Sequence, residues 1–280
     1  MDLLTIRRII ITAVASDDLL VDLLVLKGGN ALEIVHGIGG RSSLDLDYSM
    51  EGDFEDPAAI GARLLKALRD RFDVIGVDVF DYRFVPRPST GTPGQKWGGY
   101  SAEFKLILQT EARRLHHDIE AMRRESHLIG DATQKRVFTI EISKFEYCVG
   151  KVAATVDAFD CFVYSPAMIA AEKLRAICQQ LPSYRLRRNP APRPRDFYDI
   201  HSVVISAEVD LSANIGLLIE MFKAKDVALS MMSEVPSQRE FHRQAWSAVE
   251  NAVRVPLKPF DFYFDFVLGE IDRLQAVRNP

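Results

Sequence analysis

The chain has 280 residues, 48% hydrophobic and 26% charged, with a formal net charge of −4; that is enough for one large core or two close-packed ones, and it excludes a global positive field for nucleic acid, so any such contact must rest on a local patch. Cys148, Cys161 and Cys178 are odd in number and lack metal-ligand spacing, which argues against a disulfide scaffold or zinc module and fits a reducing compartment. No apolar run reaches the length of a membrane span or precedes a cleavage site, so the expectation is a cytoplasmic protein with no membrane partner.

Ile6, Ile9, Ile10, Val14 and Leu20 recur at helical spacing and predict one or two helices over residues 3–24. The apolar run Leu23 to Leu26 predicts a buried strand. Lys27-Gly28-Gly29-Asn30 follows as a turn in which two residues lack Cβ, so backbone N–H groups can approach a ligand closely. Residues 30–36 predict a short helix with Asn30 at its N-cap. Arg41-Ser42-Ser43 then leads into a strand, Leu44-Asp45-Leu46-Asp47-Tyr48. Alternation puts Asp45 and Asp47 on one face and Leu44, Leu46 and Tyr48 on the other. Two adjacent carboxylates repel, and burying one unpaired is costly. A shared divalent cation removes that problem, and Mg²⁺ (or Mn²⁺) is commonly held by one or two carboxylates together with substrate phosphates. A helix start after the glycine turn supplies donors and a dipole for those phosphates. An isolated Asp-x-Asp is ordinarily a solvated face and an isolated Gly-Gly a tight turn; their succession on apolar elements favours a phosphate and metal site.

Residues 56–71 predict an amphipathic helix with Ile60, Leu64, Leu65 and Leu68 inward. Residues 73–85 and 100–109 predict two strands of one sheet, joined by a stretch rich in Pro and Gly. Residues 111–128 carry Arg113, Arg114, His116, His117, Arg123, Arg124 and His127. This reads as a solvated basic helix, or as a contact for polynucleotide phosphates; His116 and His117 do not share a helix face, so one metal site from both is not expected. Residues 135–147 predict a strand with Val137, Thr139, Glu141 and Ser143 on one face. Residues 160–164 predict a last strand.

From Pro166 the composition changes, and helices are predicted over 166–180, 193–206, 212–223, 237–253 and 260–277, with Pro182, Pro190, Pro192 and Pro194 marking a loop. The predicted organisation is an α/β domain over 1–165 and a helical domain over 166–280. Lys173 lies on a mostly apolar helix, where it either snorkels to water or presents a cation to phosphates. Asp196 and Asp199 share a helix face at i and i+3 beside Arg193 and Arg195; acids in a first helical turn are also ordinary. Arg185, Arg187, Arg188, Arg193 and Arg195, interleaved with proline, form either a solvated basic loop or one that binds RNA or nucleotide.

Gly28-Gly29 at a helix start, followed by a strand bearing Asp45-Leu46-Asp47, resembles the DNA polymerase β type of nucleotidyltransferase fold. Lys27-Gly28-Gly29-Asn30-Ala31-Leu32, Arg41-Ser42-Ser43-Leu44-Asp45-Leu46-Asp47-Tyr48-Ser49, Glu172-Lys173-Leu174-Arg175-Ala176 and Arg195-Asp196-Phe197-Tyr198-Asp199, in that order, resemble the AbiEii/AbiGii toxin family, the toxin half of type IV toxin–antitoxin pairs. Asn30 stands where that family usually has Thr or Ser. The resemblance spans Lys27 to Ile200; the remaining residues carry no usable motif.

The resemblance implies a mixed sheet in the N-terminal half and a helical half that completes the active-site cleft. It implies Mg²⁺-dependent transfer of a nucleotide from an NTP to an acceptor hydroxyl with release of pyrophosphate, the 3′ end of tRNA or another RNA as acceptor, and a cognate antitoxin. Asp45 and Asp47 would ligate metal, with Glu141 as the third carboxylate, although the family more often has Asp there. Lys27, Gly28, Gly29, Asn30, Arg41, Ser43 and Lys173 would bind the nucleotide. Asp196 would be essential, either orienting Lys173 or Arg41 or contacting the acceptor, with Asp199, Arg193 and Arg195 as acceptor contacts or structural support. Transfer to a protein or small-molecule hydroxyl, and a non-catalytic nucleotide-binding module, are the alternatives. The chain has no G-x-x-x-x-G-K-[ST], which argues against a P-loop NTPase.

Overall fold

A computed structural model of the chain describes residues 1–39, 45–89, 97–127, 129, 135–187, 189–253 and 255–278. Seven strands form one sheet: β1 (Val25–Lys27), β2 (Leu46–Ser49), β3 (Val77–Arg87), β4 (Gly99–Leu108), β5 (Phe138–Ser143), β6 (Lys151–Val156) and β7 (Phe159–Tyr164), in the spatial order β3-β4-β5-β2-β1-β7-β6. The sheet is mixed: β1 runs antiparallel to β2 and parallel to β7, β2 parallel to β5, and β4 antiparallel to both β3 and β5.

Alternation within these strands sorts the sheet into two faces. Leu46 and Tyr48 of β2 lie in register with Ile140 and Ile142 of β5, which in turn face Ala102 and Tyr100 of β4. These side chains are buried and make the apolar face. Helices Leu3–Ala15 and Pro57–Asp73 pack on one another, and the second packs on β3. Asp2 and Asp56 cap them, each accepting a hydrogen bond from the backbone N–H three residues on. Ile60, Leu64 and Leu68 are buried as the helical period requires, whereas Leu65 sits at the margin of the stripe. Gly61 lets this helix close on the sheet: a Cβ there would lie 3.0 Å from a ring carbon of Phe84, and the Gly61 carbonyl accepts from Tyr82 Oη at 2.9 Å.

The chain divides into two compact units, Met1–Asn30 with Ser43–Cys148 and Val152–Val163, and Ala31–Ser42 with Val149–Lys151 and Tyr164–Pro280. In the second unit Ser165 caps helix Pro166–Cys178, accepting from Met168 N. That helix packs against Pro194–Ser206 and Ile215–Lys223, and Phe260–Arg278 packs against Pro194–Ser206. Phe197 is the aromatic centre, stacked on Phe264 at 5.0 Å between centroids and edge-on to Phe260 at 5.7 Å.

Several sequence-level expectations are corrected. The single helix expected over residues 111–128 is replaced by two short ones, Gln109–Arg114 and Ile119–Glu125, because His116 and His117 both take positive φ and end the first; Leu128 lies outside the described residues. Residues 237–253 are likewise broken: a 3₁₀ stretch, Leu229–Gln238, precedes two short helices, Arg239–Arg243 and Ser247–Glu250. The helix after the glycine turn begins at Gly28 and widens into a π-turn over Ala31–Val35, so Asn30 lies within it and is not its N-cap. Strand β6 is not anticipated by the sequence. In β3, Asp81 (φ 52°) and Tyr82 oppose the single residue Phe104, a β-bulge between Phe80 and Arg83.

Gly61→Leu is expected to lower stability by about 1–3 kcal/mol, because the Phe84 ring must move to admit the side chain. Chemical denaturation with an unchanged m-value checks this.

Candidate active site

The register of four strands builds the first group. Lys27 of β1 lies opposite Asp47 of β2, Asp47 beside Glu141 of β5, and Glu141 opposite Ser101 of β4. Directly paired residues share a face, so these four form one transverse row on the face turned from the apolar one. Lys27 is buried; its Nζ donates to Ser143 Oγ at 3.3 Å and lies 3.9 Å from Glu146 Oε1. Glu141 is exposed.

Gly28 follows Lys27 with φ +69°, and a Cβ built on it would lie 2.6 Å from Asp47 Oδ2. Only glycine satisfies both the left-handed backbone and that contact. The turn therefore rests directly on the Asp47 carboxylate.

Asn30 ties the helix start to the strand that follows. It is fully buried, its Oδ1 accepts from Arg7 Nη1 at 2.9 Å, and its Nδ2 donates to the Asp45 carbonyl at 2.7 Å. Asp45 precedes β2 by one residue, and its carboxylate pairs with Lys135 Nζ at 2.9 Å. Arg41 and Ser43, expected to bind nucleotide, and Arg188 of the basic loop lie outside the described residues.

Among the described residues no three His, Cys, Asp or Glu side chains are gathered as a ready-made metal cage. The set Asp45, Asp47 and Glu141 is thus not assembled as one: Asp45 is turned to Lys135 and Glu141 faces solvent. The donors nonetheless suit a hard cation that takes most of its ligands from a bound phosphate, since Asp47 and Glu141 are lateral neighbours and every donor is a carboxylate oxygen.

The second group lies in the second unit. Lys173, buried on helix Pro166–Cys178, pairs with Asp199 Oδ2 at 2.6 Å and with Asp196 Oδ1 at 3.2 Å. Asp196 also pairs with the guanidinium of Arg193. Burial pushes the Asp196 carboxyl up, but Arg193 and Lys173 outweigh it and hold the group below the usual carboxylate range. Two cations and two anions thus compensate one another, as burial demands. Arg195 is exposed and reaches the carbonyl of Ala248 at 3.5 Å.

Sequence reasoning missed His242. It is fully buried, its Nδ1 accepts from Arg193 N at 3.0 Å, and its ring packs on Phe197 with centroids 5.0 Å apart. That acceptor places the proton on Nε2. Burial lowers its pKa to about 4. Lys135, Ser143 and Glu146 were also missed, each brought in by strand pairing or a loop far from the motifs they serve.

Residues 9–267 match the family described as "Nucleotidyl transferase AbiEii toxin, Type IV TA system". Among solved structures, JHP933 from Helicobacter pylori aligns over 98% of this chain and 91% of its own, with TM-score 0.51 and 13% identity, a likeness of fold. An antigenic nucleotidyltransferase-like protein from Paracoccidioides brasiliensis aligns over 90% of this chain and 93% of its own, with TM-score 0.35 and 13% identity. A search of curated proteins gave no match.

Gly28→Ala is expected to cost about 1–3 kcal/mol, from backbone strain plus overlap with Asp47. Combined with Asp47→Ala, which removes the overlapped oxygen, part of that cost should return; a double-mutant cycle giving about 1 kcal/mol of coupling is the check. For His242, the folded pKa lies below the ordinary value of 6.5, so its neutral form stabilises the fold above pH 6.5, and that stability drains away as pH falls towards about 4. At most about 3 kcal/mol is involved. His242→Gln, which cannot titrate, should flatten the fall in Tm between pH 7 and pH 4.

Proposed function

This chain belongs to the family of AbiEii nucleotidyl transferase toxins of type IV toxin–antitoxin systems, and on that premise we propose that it transfers a nucleotide from an NTP to the 3′ end of an RNA, tRNA in the first instance, with pyrophosphate as the leaving group. A cognate antitoxin encoded with it would restrain the activity. One observation carries the reading: Lys27, Asp47 and Glu141 lie in a single row across three strands, with the Gly28 turn resting on Asp47.

In this reading the turn at Gly28 and Gly29 offers backbone N–H groups to the phosphates, and Lys27 contributes positive charge to the same row. A divalent cation, when bound through Asp45 and Asp47 with Glu141 beside them, would neutralise the phosphates and lower the pKa of the attacking hydroxyl. Lys135, whose Nζ lies 2.9 Å from Asp45 Oδ1, adds a cation beside that carboxylate. Asn30 fixes the distance between the turn and the strand, and Arg7 fixes Asn30.

Of the residues in the second unit, Lys173 is proposed as a phosphate-binding cation. Its hydrogen bonds to Asp196 and Asp199 favour the role of those aspartates as its orienting partners. Arg193 and Arg195 remain proposed as support for the acceptor or for Asp196.

The test is incubation of the protein with each labelled NTP, Mg²⁺ and total RNA. Wild-type protein should label RNA, a chelator should abolish labelling, and Asp47→Ala should lower the rate by roughly 10²–10³-fold, equivalent to several kcal/mol of lost charge stabilisation. Label appearing in protein instead would move the acceptor class, and labelling that survives Asp47→Ala would overturn the site.

A further inference from the structure

We propose that the sheet face bearing Asp47 continues, within the first unit, into a track for the phosphate backbone of the acceptor polynucleotide, with Arg83 and Arg87 of β3 as its cations and Glu103 of β4 as the residue that holds them. This rests on the reading of the acceptor as RNA.

Strand register carries the argument. Glu141 of β5 faces Ser101 of β4, and Ser101 faces Val85 of β3. The row that holds Asp47 therefore runs on to Val85. Arg83 and Arg87 stand two residues to either side of Val85, so they project from that same face and bracket the row. At about 4.8 Å per strand they lie about 14 Å across the sheet from β2, and at about 3.3 Å per residue about 13 Å from each other. A short run of single-stranded polynucleotide covers such distances.

The electrostatics separate this pair from the other surface cations. Arg83 Nη2 bonds Glu103 Oε2 at 2.7 Å, and Arg87 Nη2 bonds Glu103 Oε1 at 2.8 Å. Two guanidinium groups thus share one carboxylate, which leaves a net positive charge. Glu103 is mostly covered, with 17% of its side chain exposed, whereas Arg83 and Arg87 keep 68% and 60% exposed. Each arginine commits part of its fork to Glu103 and turns the rest to water, in an orientation already fixed. Such a fork suits bidentate capture of phosphate oxygens, with less rotamer freedom to lose on binding.

In the basic stretch of residues 111–128, by contrast, Arg114 and Arg123 are each compensated by two carboxylates. Arg114 pairs with Glu111 and Glu125, and Arg123 with Asp81 and Glu120. Edge strands often carry charge to block pairing with other sheets. That role needs no shared carboxylate and no placement on the face of Asp47.

The test is the binding of a labelled single-stranded RNA to the full chain, followed by anisotropy over a range of salt concentrations. Arg83→Ala/Arg87→Ala should bind at least tenfold more weakly at low salt, and its log–log salt slope should shrink by about 1.4, the value for two single-strand phosphate contacts. Arg83→Lys/Arg87→Lys should keep most of the slope, and both variants should keep one cooperative thermal transition, the double alanine variant at a lower Tm because Glu103 loses both cations. If wild-type protein binds RNA and the double alanine variant matches it in affinity and slope, the track is overturned while the RNA reading stands. If wild-type protein shows no salt-dependent RNA binding, the RNA reading falls and the track falls with it.

Discussion

A backbone turn pressed onto a carboxylate sets the geometry of the first unit. Gly28 takes a left-handed conformation and leaves no room for a Cβ against Asp47, and that single close approach locks β1 to β2 and sends the chain straight into a helix. Asn30, two residues on, is consumed by the same junction, its amide divided between Arg7 and the Asp45 backbone. Side chains that hold polar atoms in place without water must satisfy them completely, and here the satisfaction links the first helix, the turn and the strand in one network. A nucleotidyltransferase must hold a reactive phosphate within a few tenths of an ångström of its mark; a junction of this stiffness is suited to that requirement.

The second unit solves a comparable problem with charge. Lys173, Arg193, Asp196 and Asp199 are drawn together between two helices, and removing any one upsets the balance of two cations and two anions. His242 secures the backbone of Arg193 from a different helix, in its neutral form and against an aromatic wall. The attraction within such a cluster is largely offset by the cost of taking four charges out of water, so its presence is weak evidence of stability.

What the sequence reveals follows from the range of the forces involved. Leu46-Asp47-Tyr48 is legible because strand alternation is a local property, although the strand begins only at Leu46 and leaves Asp45 outside it, and Ser165-Pro166 because capping acts within one turn. The relation between Asp47 and Glu141 is legible only by resemblance, since the pairing of β2 with β5 spans most of a hundred residues. Strand β6, Lys-Val-Ala-Ala-Thr-Val, escapes because two alanines blur its period and only its last residue is buried. The break at His116 and His117 escapes because neither residue is an ordinary helix terminator. Asn30 looks like an N-cap by type and position, and only the tertiary pull of Arg7 and Asp45 reveals its other task. His242 carries no local signal at all.

The bulge at Asp81 and Tyr82 has one more implication. Upstream of it, Phe80 shares its side of the sheet with Lys105; downstream, Arg83 shares that side with Glu103, whereas Tyr82 and Phe84 turn towards Gly61. An uninterrupted strand would have inverted this assignment, placing the two arginines under the helix and the two aromatic rings in water. The sidedness of the hairpin is therefore a matter of counting. Loss of one residue there would be a frameshift in three dimensions, tolerable only if a second length change nearby restored the parity.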